Sequence, residues 1–416
     1  VTTQTAKQKF GNPELYEQIH QDAMMLIESY GFSVSPQASQ KLLEAMAPGQ
    51  LEKINYSEEL GRIYISQDVI ESSIKLIKQG MDFFPKGFGT GGMAAYIVDQ
   101  DGPRTPVLED MNRLADIYGQ TDILTSLQSS FNVLNTLKRK DTEGRAKLEC
   151  QAIDHMVLAA GGKLILPTIY TDQGYDRLKS HNEAGRPAGA ALSIIATYMT
   201  VSDEMVDPFI KTTTRGLPFI MNSMPIGGLT GPYTMSSLAT LAHAEALFGM
   251  VLGQLICPGI KCLNSAMPTI ANMTKKDMPM MFGSVSNTMV NILLAELNLH
   301  LGIPCCQSSC GHHRDQLDDE AMAQCSKIYS LVNQYDYFIM RHMFGFSAQI
   351  NDFSIDNMEK QIELYRKIEE NPAPVEIPEP AKYDEQGLEA ILEGLARQDF
   401  RVLDHTLKNI GKSFNH

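Results

Sequence analysis

Residues 217–268 read LPFIMNSMPIGGLTGPYTMSSLATLAHAEALFGMVLGQLICPGIKCLNSAMP. Two short apolar runs, LPFIMNSMP (217–225) and IKCLNSAMP (260–268), flank the long stretch SLATLAHAEALFGMVLGQLICPG (237–259). Parallel strands need a crossover of a dozen or more residues, usually a helix, so the segment reads as one strand–helix–strand unit. The middle stretch is apolar enough to suggest a membrane span, but His243, Glu245 and Gln254 lie within it. A buried helix accounts for it better.

The same rhythm extends outward. SLQSSFNVLN (126–135), KLILPTIY (163–170), ALSIIATYMT (191–200), MPMMFGSVS (278–286), IPCCQSSC (303–310) and YFIMRHMFGF (337–346) are further strand-like runs. Helical stretches such as AKLECQAIDHMVLAAG, DEMVDPFIKTTTRG, NTMVNILLAELNLHLG and DEAMAQCSKIYSLVNQ fit between them. Eight such units predict an α/β fold of the TIM (β/α)8 barrel type over 126–355. An open doubly wound sheet is the alternative. Residues 1–125 read as an N-terminal helical extension with a Gly-rich loop packed on the barrel. LYEQIHQDAMMLIESYGF has helical spacing and closes on Gly31, and SEELGRIYISQDVIESSIKLIKQGM continues in similar style. Residues 356–416 read as a Pro- and Glu-rich linker, ENPAPVEIPEPAKYDEQ, and a C-terminal helical appendage.

Composition narrows the function. The net charge is −14, which argues against nucleic acid, and the sequence offers no basic stripe. A small-molecule substrate or a protein partner suits such a surface. Seven cysteines without scaffold spacing read as reduced thiols. VTTQTAKQKF holds no apolar signal core, so a cytoplasmic protein without a membrane segment is expected.

Three motifs carry chemistry. GFGTGG (87–92) lacks the G-x-G-x-x-G spacing of a dinucleotide loop and reads as a flexible loop. MPIGGLTGPYTM (224–235) runs from a strand into a helix; Gly227, Gly228 and Gly231 allow close backbone approach, and the helix N-terminus after Pro232 offers N–H groups to an anion. PCCQSSCGHHRDQLDDE (304–320) holds three cysteines and two histidines, but without Cys-x2-Cys or His-x3-His spacing, so no metal is expected. A strand leading into a polar loop makes Gln307, Ser309, Gly311, His312, His313, Arg314 and Asp315 site candidates, since barrel sites form at strand C-termini.

GGLTGPYT, AHAEALFGMVLGQLICPG, LGIP with its polar loop, and the upstream GGMAAYIVDQDGPRTPVLEDMNRLADI together resemble the trimethylamine methyltransferase family. The resemblance covers most of 12–355. It implies a corrinoid-dependent methyltransferase. Members that use trimethylamine carry pyrrolysine in the loop after the seventh strand. Here that loop is SSCGHHRDQLDDE, and 305–326 contains no Lys. The chain therefore resembles the non-pyrrolysine branch, which demethylates quaternary amines such as glycine betaine, proline betaine, carnitine or γ-butyrobetaine. Glycine betaine is the favoured substrate.

The chemistry fits this branch. A quaternary nitrogen leaves as a neutral tertiary amine, without protonation, when its methyl passes in line to cobalt(I). The protein need only hold and orient the cation. Aromatic faces hold such cations, and with no Trp the cage falls to Phe131, Tyr96, Tyr170, Tyr198, Tyr233, Phe344 and Phe346. Asn222, Gly228, Gly231 and Gln307 complete the expected substrate contacts. The betaine carboxylate would pair with His312, His313, Arg314, Arg341, His342 or the amides after Gly231. His312, His313 and Asp315 are the expected catalytic residues. None of the ten histidines sits in Asp-x-His-x-x-Gly, the usual corrinoid-binding run, so the corrinoid (cobalamin) is expected on a separate partner protein. A homo-oligomer is also expected. A zinc-dependent methyltransferase and a non-enzymatic betaine-binding barrel are the rival readings.

Overall fold

The computed structural model describes residues 7–92, 94–347, 349–371, 375–412 and 414. Eight short parallel strands organise it: β1 (Gly87–Gly89), β2 (Leu124–Gln128), β3 (Leu164–Leu166), β4 (Ala190–Leu192), β5 (Phe219–Ser223), β6 (Cys262–Ala266), β7 (Cys306–Ser308) and β8 (Ile339–Arg341). Five of them pair in the order β7-β8-β1-β2-β3, and three in the order β6-β5-β4. Isolated parallel bridges, Ile165 with Ala188 and Asn264 with Cys305, join the edges of the two sheets. The fold is α/β, with parallel sheets and helices in the connections.

Strand alternation sorts the side chains. Leu164, Leu166, Ile220, Leu263, Cys306 and Ile339 pack in one apolar cluster on the enclosed face. Ala190, Leu192, Phe219, Met221 and Met340 belong to the larger core shared with the helices. The helix Met235–Ile256 is long and apolar enough to cross a bilayer, yet all of that stretch is buried inside the protein.

Two expected assignments are corrected. MPMMFGSVS (278–286) is not a strand. Its residues form a loop that runs into the helix Val285–Leu301. A Cβ on Gly283 would lie 2.0 Å from the His312 carbonyl carbon, so this loop is pressed against the next one, and its Met280 makes an isolated antiparallel bridge to Ala271 in place of a parallel strand. The missing strand is β1, inside the GFGTGG segment that sequence placed outside the barrel. It is held between Ile339–Arg341 on one side and β2 on the other. Gly87 adopts φ +139, and a Cβ built on it would lie 2.6 Å from Thr125 Cγ2, so close strand packing rather than flexibility requires glycine there.

The N-terminal region is helical as expected at Pro13–Met25, which ends in a π turn at Leu26–Tyr30 and a left-handed Gly31. It also holds an unexpected antiparallel hairpin, Ile54–Ser57 with Arg62–Ile65. Glu296 anchors this region, accepting hydrogen bonds from the Gly11 amide at 2.9 Å and the Tyr16 hydroxyl at 2.8 Å. At the other end, 375–384 has no regular secondary structure and leads through a turn at 385–386 into helices Gly387–Arg397 and Asp404–Asn409. Within the expected segments, residues 1–6, 93, 348, 372–374, 413, 415 and 416 lie outside the described residues.

Phe32 stacks on Phe248 of the long buried helix, with ring centroids 3.8 Å apart and planes at 11°. Both rings are fully buried. Phe248→Ala should therefore cost about 3–5 kcal/mol, seen as a lower urea midpoint with an unchanged slope. A midpoint equal to wild type would mean that the N-terminal region is not docked on this helix.

Candidate active site

The enclosed face turns polar at the C-terminal end of the strands. Arg341 ends β8, in register with Ser308 of β7 and Gly89 of β1. Its guanidinium donates to Gln128 Oε1 at 2.6 Å, Asn222 Oδ1 at 2.7 Å and Ser265 Oγ at 2.6 Å, and it touches the Met267 sulfur. It thus reaches from β8 to β2, β5 and β6. Only 2% of Arg341 is exposed, and no carboxylate pairs with it among the described residues. Burial lowers its pKa, partly opposed by Cys306. A guanidinium nonetheless stays protonated in proteins. The charge is held by neutral acceptors alone, and its Nε has no partner.

His342 follows in a left-handed conformation, φ 64. Ser308 Oγ lies 2.7 Å from its Nδ1, while its Nε2 is buried with no hydrogen-bond partner. Burial first, and the adjacent Arg341 second, push its pKa well below the usual imidazole value, so the ring is neutral. Phe346 meets it edge-on at 5.0 Å. Phe353 lies 4.9 Å from Phe346 and 5.7 Å from Phe131. Arg341, His342 and these three rings form one neighbourhood beside the ends of β8, β1 and β2. Ser126 Oγ and Ser130 Oγ, at the end of β2, are also buried without partners. Buried polar atoms are almost always paired, so these unpaired ones make the strand ends a candidate binding site.

Of the expected residues, Phe131, Asn222, Arg341, His342 and Phe346 come together here. The rest lie elsewhere. Gln307 alternates off the Arg341 face and donates to the Ala266 carbonyl at 3.4 Å; its neighbour Ser308 faces the site instead. Phe344 packs among Phe88, Tyr329 and Tyr365. Tyr233 is buried, with its hydroxyl on the Ala271 carbonyl and its ring on Phe414. Gly228, at φ +87, makes room for Met273 and Tyr233, and Gly231 packs against Leu238. Tyr198 stacks on Phe400 of the C-terminal segment. Tyr96 and Tyr170 are 46% and 43% exposed.

The polar loop behaves differently from expectation. His312 is buried, and its Nδ1 accepts a hydrogen bond from the Arg314 amide at 3.2 Å, which closes a local turn. His313 borders a cavity of about 1010 Å³ between the helix Val285–Leu301 and the 376–384 segment. Arg314 is committed to Asp318 and Glu320 on the surface. Asp315 is exposed and lies near Asp352, where the two acids repel. Cys305 points its sulfur toward the Ala295 carbonyl, while Cys306 accepts from Gln128 at 3.7 Å, so the two cysteines do alternate faces. No group of three or more His, Cys, Asp or Glu among the described residues could hold a metal ion.

The helix N-terminus after Pro232 already has its anion. Asp384 accepts hydrogen bonds from Thr234 at 2.6 Å, Ser237 at 2.9 Å and His405 at 2.7 Å. Burial alone would raise this carboxyl, but these bonds outweigh it and hold it well below the usual range. Behind Asn222, Glu245 accepts from Ser223 at 2.6 Å, and burial pushes it up to about 7.

The C-terminal ends of parallel strands are where α/β enzymes bind small molecules, and it is there that Arg341 is buried. The family is specific: residues 184–416, more than half of the chain, match the trimethylamine methyltransferase (MTTB) family, and the chain belongs to it. It is accordingly a methyltransferase of the kind that acts on methylamine-type substrates. No curated protein matches it. Solved structures similar to it include 3-dehydroquinate dehydratase from Enterococcus faecalis, at 12% identity over 66% of this chain and 95% of that one, with a TM-score of 0.33. Proline utilization A from Corynebacterium freiburgense is 10% identical over 97% of this chain and 35% of that one, with a TM-score of 0.32.

Burial, and then the neighbouring His313, lower the His312 imidazole from 6.5 to about 4. The unfolded chain takes up this proton near 6.5 and the folded one only near 4. Stability is then fully present above pH 6.5 and falls as pH drops toward 4, by about 3 kcal/mol from this group. His312→Asn keeps an acceptor for the Arg314 amide and removes the titration. Its unfolding free energy should fall less than wild type between pH 7 and about 4. Equal losses would show that His312 is not held neutral.

Proposed function

We propose that this methyltransferase takes a methyl group from a quaternary amine that bears a carboxylate, glycine betaine first, and delivers it to the Co(I) corrinoid of a separate protein. Proline betaine, carnitine and γ-butyrobetaine are the neighbouring substrates. We further read the eight strands as one closed (β/α)8 barrel, because their pairing order, with the two bridges, returns β8 to β1. On this reading the barrel domain carries the 87–89 strand as well as 126–355, the protein works in the cytoplasm, and it assembles as a homo-oligomer.

Arg341 carries the proposal. A buried charge without a counter-ion is costly unless a partner arrives. A betaine carboxylate supplies that partner, and the fork of the guanidinium suits it. Asn222, Gln128 and Ser265 hold the fork in place from three other strands. The quaternary nitrogen, a short chain away, would then lie within reach of the rings of Phe346, Phe131 and Phe353, whose faces attract a cation that has no N–H to donate to a hydrogen bond. The neutral His342, fixed through Ser308, has one free nitrogen to orient the substrate.

In the reaction the C–N bond breaks with its electron pair staying on nitrogen, so the leaving tertiary amine is neutral. The Co(I) corrinoid, as the second substrate, would donate the electron pair that forms the new bond to the methyl carbon. No proton has to be delivered, and the imidazoles at this end, His342 and His312, are held neutral. The work of the protein is orientation and exclusion of water.

Methylation of cob(I)alamin, followed by absorbance, tests this with a panel of amines. Glycine betaine or a close relative should turn over, and trimethylamine should not. Arg341→Gln should weaken carboxylate-bearing substrates by about 1.5–3 kcal/mol, roughly 10- to 150-fold, and should leave choline, which has no carboxylate, little changed. Robust trimethylamine turnover, or an Arg341→Gln enzyme with wild-type affinity for every betaine, would overturn the assignment.

A further inference from the structure

One loop at the strand C-termini carries charge of the wrong sign for this chain. The protein has a net charge of −14, and many of its cations are tied to acids, as Arg113 is to Asp356 and Glu359. The loop that follows β2 instead presents Lys138, Arg139 and Lys140 in succession, all exposed, and Lys147 stands exposed on the next helix. None of these four side chains makes an ion pair or hydrogen bond among the described residues. Arg139, Lys147 and the exposed ring of Tyr170 line an open groove of about 640 Å³. The acids in that groove are Glu143 and Asp172, and Asp172 is already paired with Lys211 at 2.7 Å. A small crevice lined by Phe131 and Tyr170 lies between this groove and the end of β2. Across the strand ends, Lys275 and Lys276 on the loop after β6 are likewise exposed and unpaired.

We propose that Lys138, Arg139, Lys140 and Lys147, with the exposed ring of Tyr170, are the docking surface for an acidic face of the protein that brings the methyl acceptor. This rests on the reaction proposed above, because an acceptor protein has to cover these loops to reach the substrate. The features fit a protein rather than a small anion. The cations are spread along an exposed loop and do not converge on a buried centre. Tyr170 and Arg139 are of the types enriched in protein interfaces, and the three lysines suit the polar, solvent-accessible rim rather than the buried centre. Charge opposite to that of an acidic partner steers encounter and fixes orientation.

The test compares wild type with the triple variant Lys138→Glu/Arg139→Glu/Lys140→Glu. Three exposed side chains change, none of them in the substrate site. With free cob(I)alamin as acceptor the variant should equal wild type. With cob(I)alamin held on a purified methylamine-type corrinoid protein, KM for that protein should rise by roughly tenfold or more, and added salt should slow wild type but not the variant. Fluorescein-labelled poly-L-glutamate, as a generic acidic chain, should bind wild type and lose roughly tenfold or more in affinity for the variant. It should also block transfer to the corrinoid protein and leave transfer to free cob(I)alamin intact. Equal poly-L-glutamate binding by the two proteins overturns the docking surface. So does tighter, variant-sensitive binding of an oligonucleotide of matched charge, which would make this a nucleic-acid site. If wild type methylates no cob(I)alamin from any quaternary amine, the reaction is wrong, and poly-L-glutamate binding still decides the surface.

Discussion

The positive charge of Arg341 sits inside the protein, and much of the surrounding sequence is arranged to accommodate it. A buried guanidinium needs acceptors from several directions, and Gln128, Asn222 and Ser265 provide them from three strands. It also needs room. A Cβ on Gly91 would lie 2.9 Å from Arg341 Cδ, and one on Gly92 would lie 2.4 Å from the Phe346 ring. Both glycines also have left-handed φ, +77 and +74. The Gly-rich segment is therefore neither a nucleotide loop nor a hinge. It is a strand and turn stripped of side chains so that a cation and an aromatic ring can pass.

That charge also sets the chemistry of its neighbours. His342 lies next to it in the chain and is fully desolvated, and both effects favour the neutral ring. A neutral imidazole with one nitrogen fixed by Ser308 can orient a ligand but is a poor proton donor. The nearest carboxyl behind the site, Glu245, is held between Ser223 and the helix that carries it and does not reach Arg341. A site with a strong fixed cation and no ready acid suits a substrate whose leaving group departs neutral. The proposed quaternary amine meets that condition.

The strand–helix alternation was legible in the sequence because it depends on local periodicity. Seven of the eight strand positions followed from it. The eighth was misplaced because β1 is too short and too rich in glycine to carry a periodic signal, whereas MPMMFGSVS is apolar for a different reason: it covers the neighbouring polar loop. The site was half legible. Four strands end in an amide followed by serine: Gln128-Ser129, Asn222-Ser223, Asn264-Ser265 and Gln307-Ser308. That recurrence marks the polar end of the strands. It does not say which of each pair faces inward, because a shift of one residue inverts the choice. Register decides it, placing Gln128 and Asn222 on the Arg341 side in two strands and Ser265 and Ser308 in the other two. Phe353 had no local signal, since it reaches the site from beyond the last strand.

The glycine-rich turn at 226–231 offered the other plausible anion site, and its fate explains why Arg341 is needed. The helix that begins at Met235 is the longest in the protein, and its N-terminal partial positive charge attracts a carboxylate. The chain fills that position itself with Asp384, bound by Thr234, Ser237 and His405. The carboxylate is tethered, so it occupies the helix end at no cost in association and outcompetes a free ligand of similar affinity. Helix dipole and glycine turn are thereby used to fasten the C-terminal segment. Among the described residues, the buried cation left without an acid is Arg341, so the substrate carboxylate proposed above would pair at the strand ends and not at the helix.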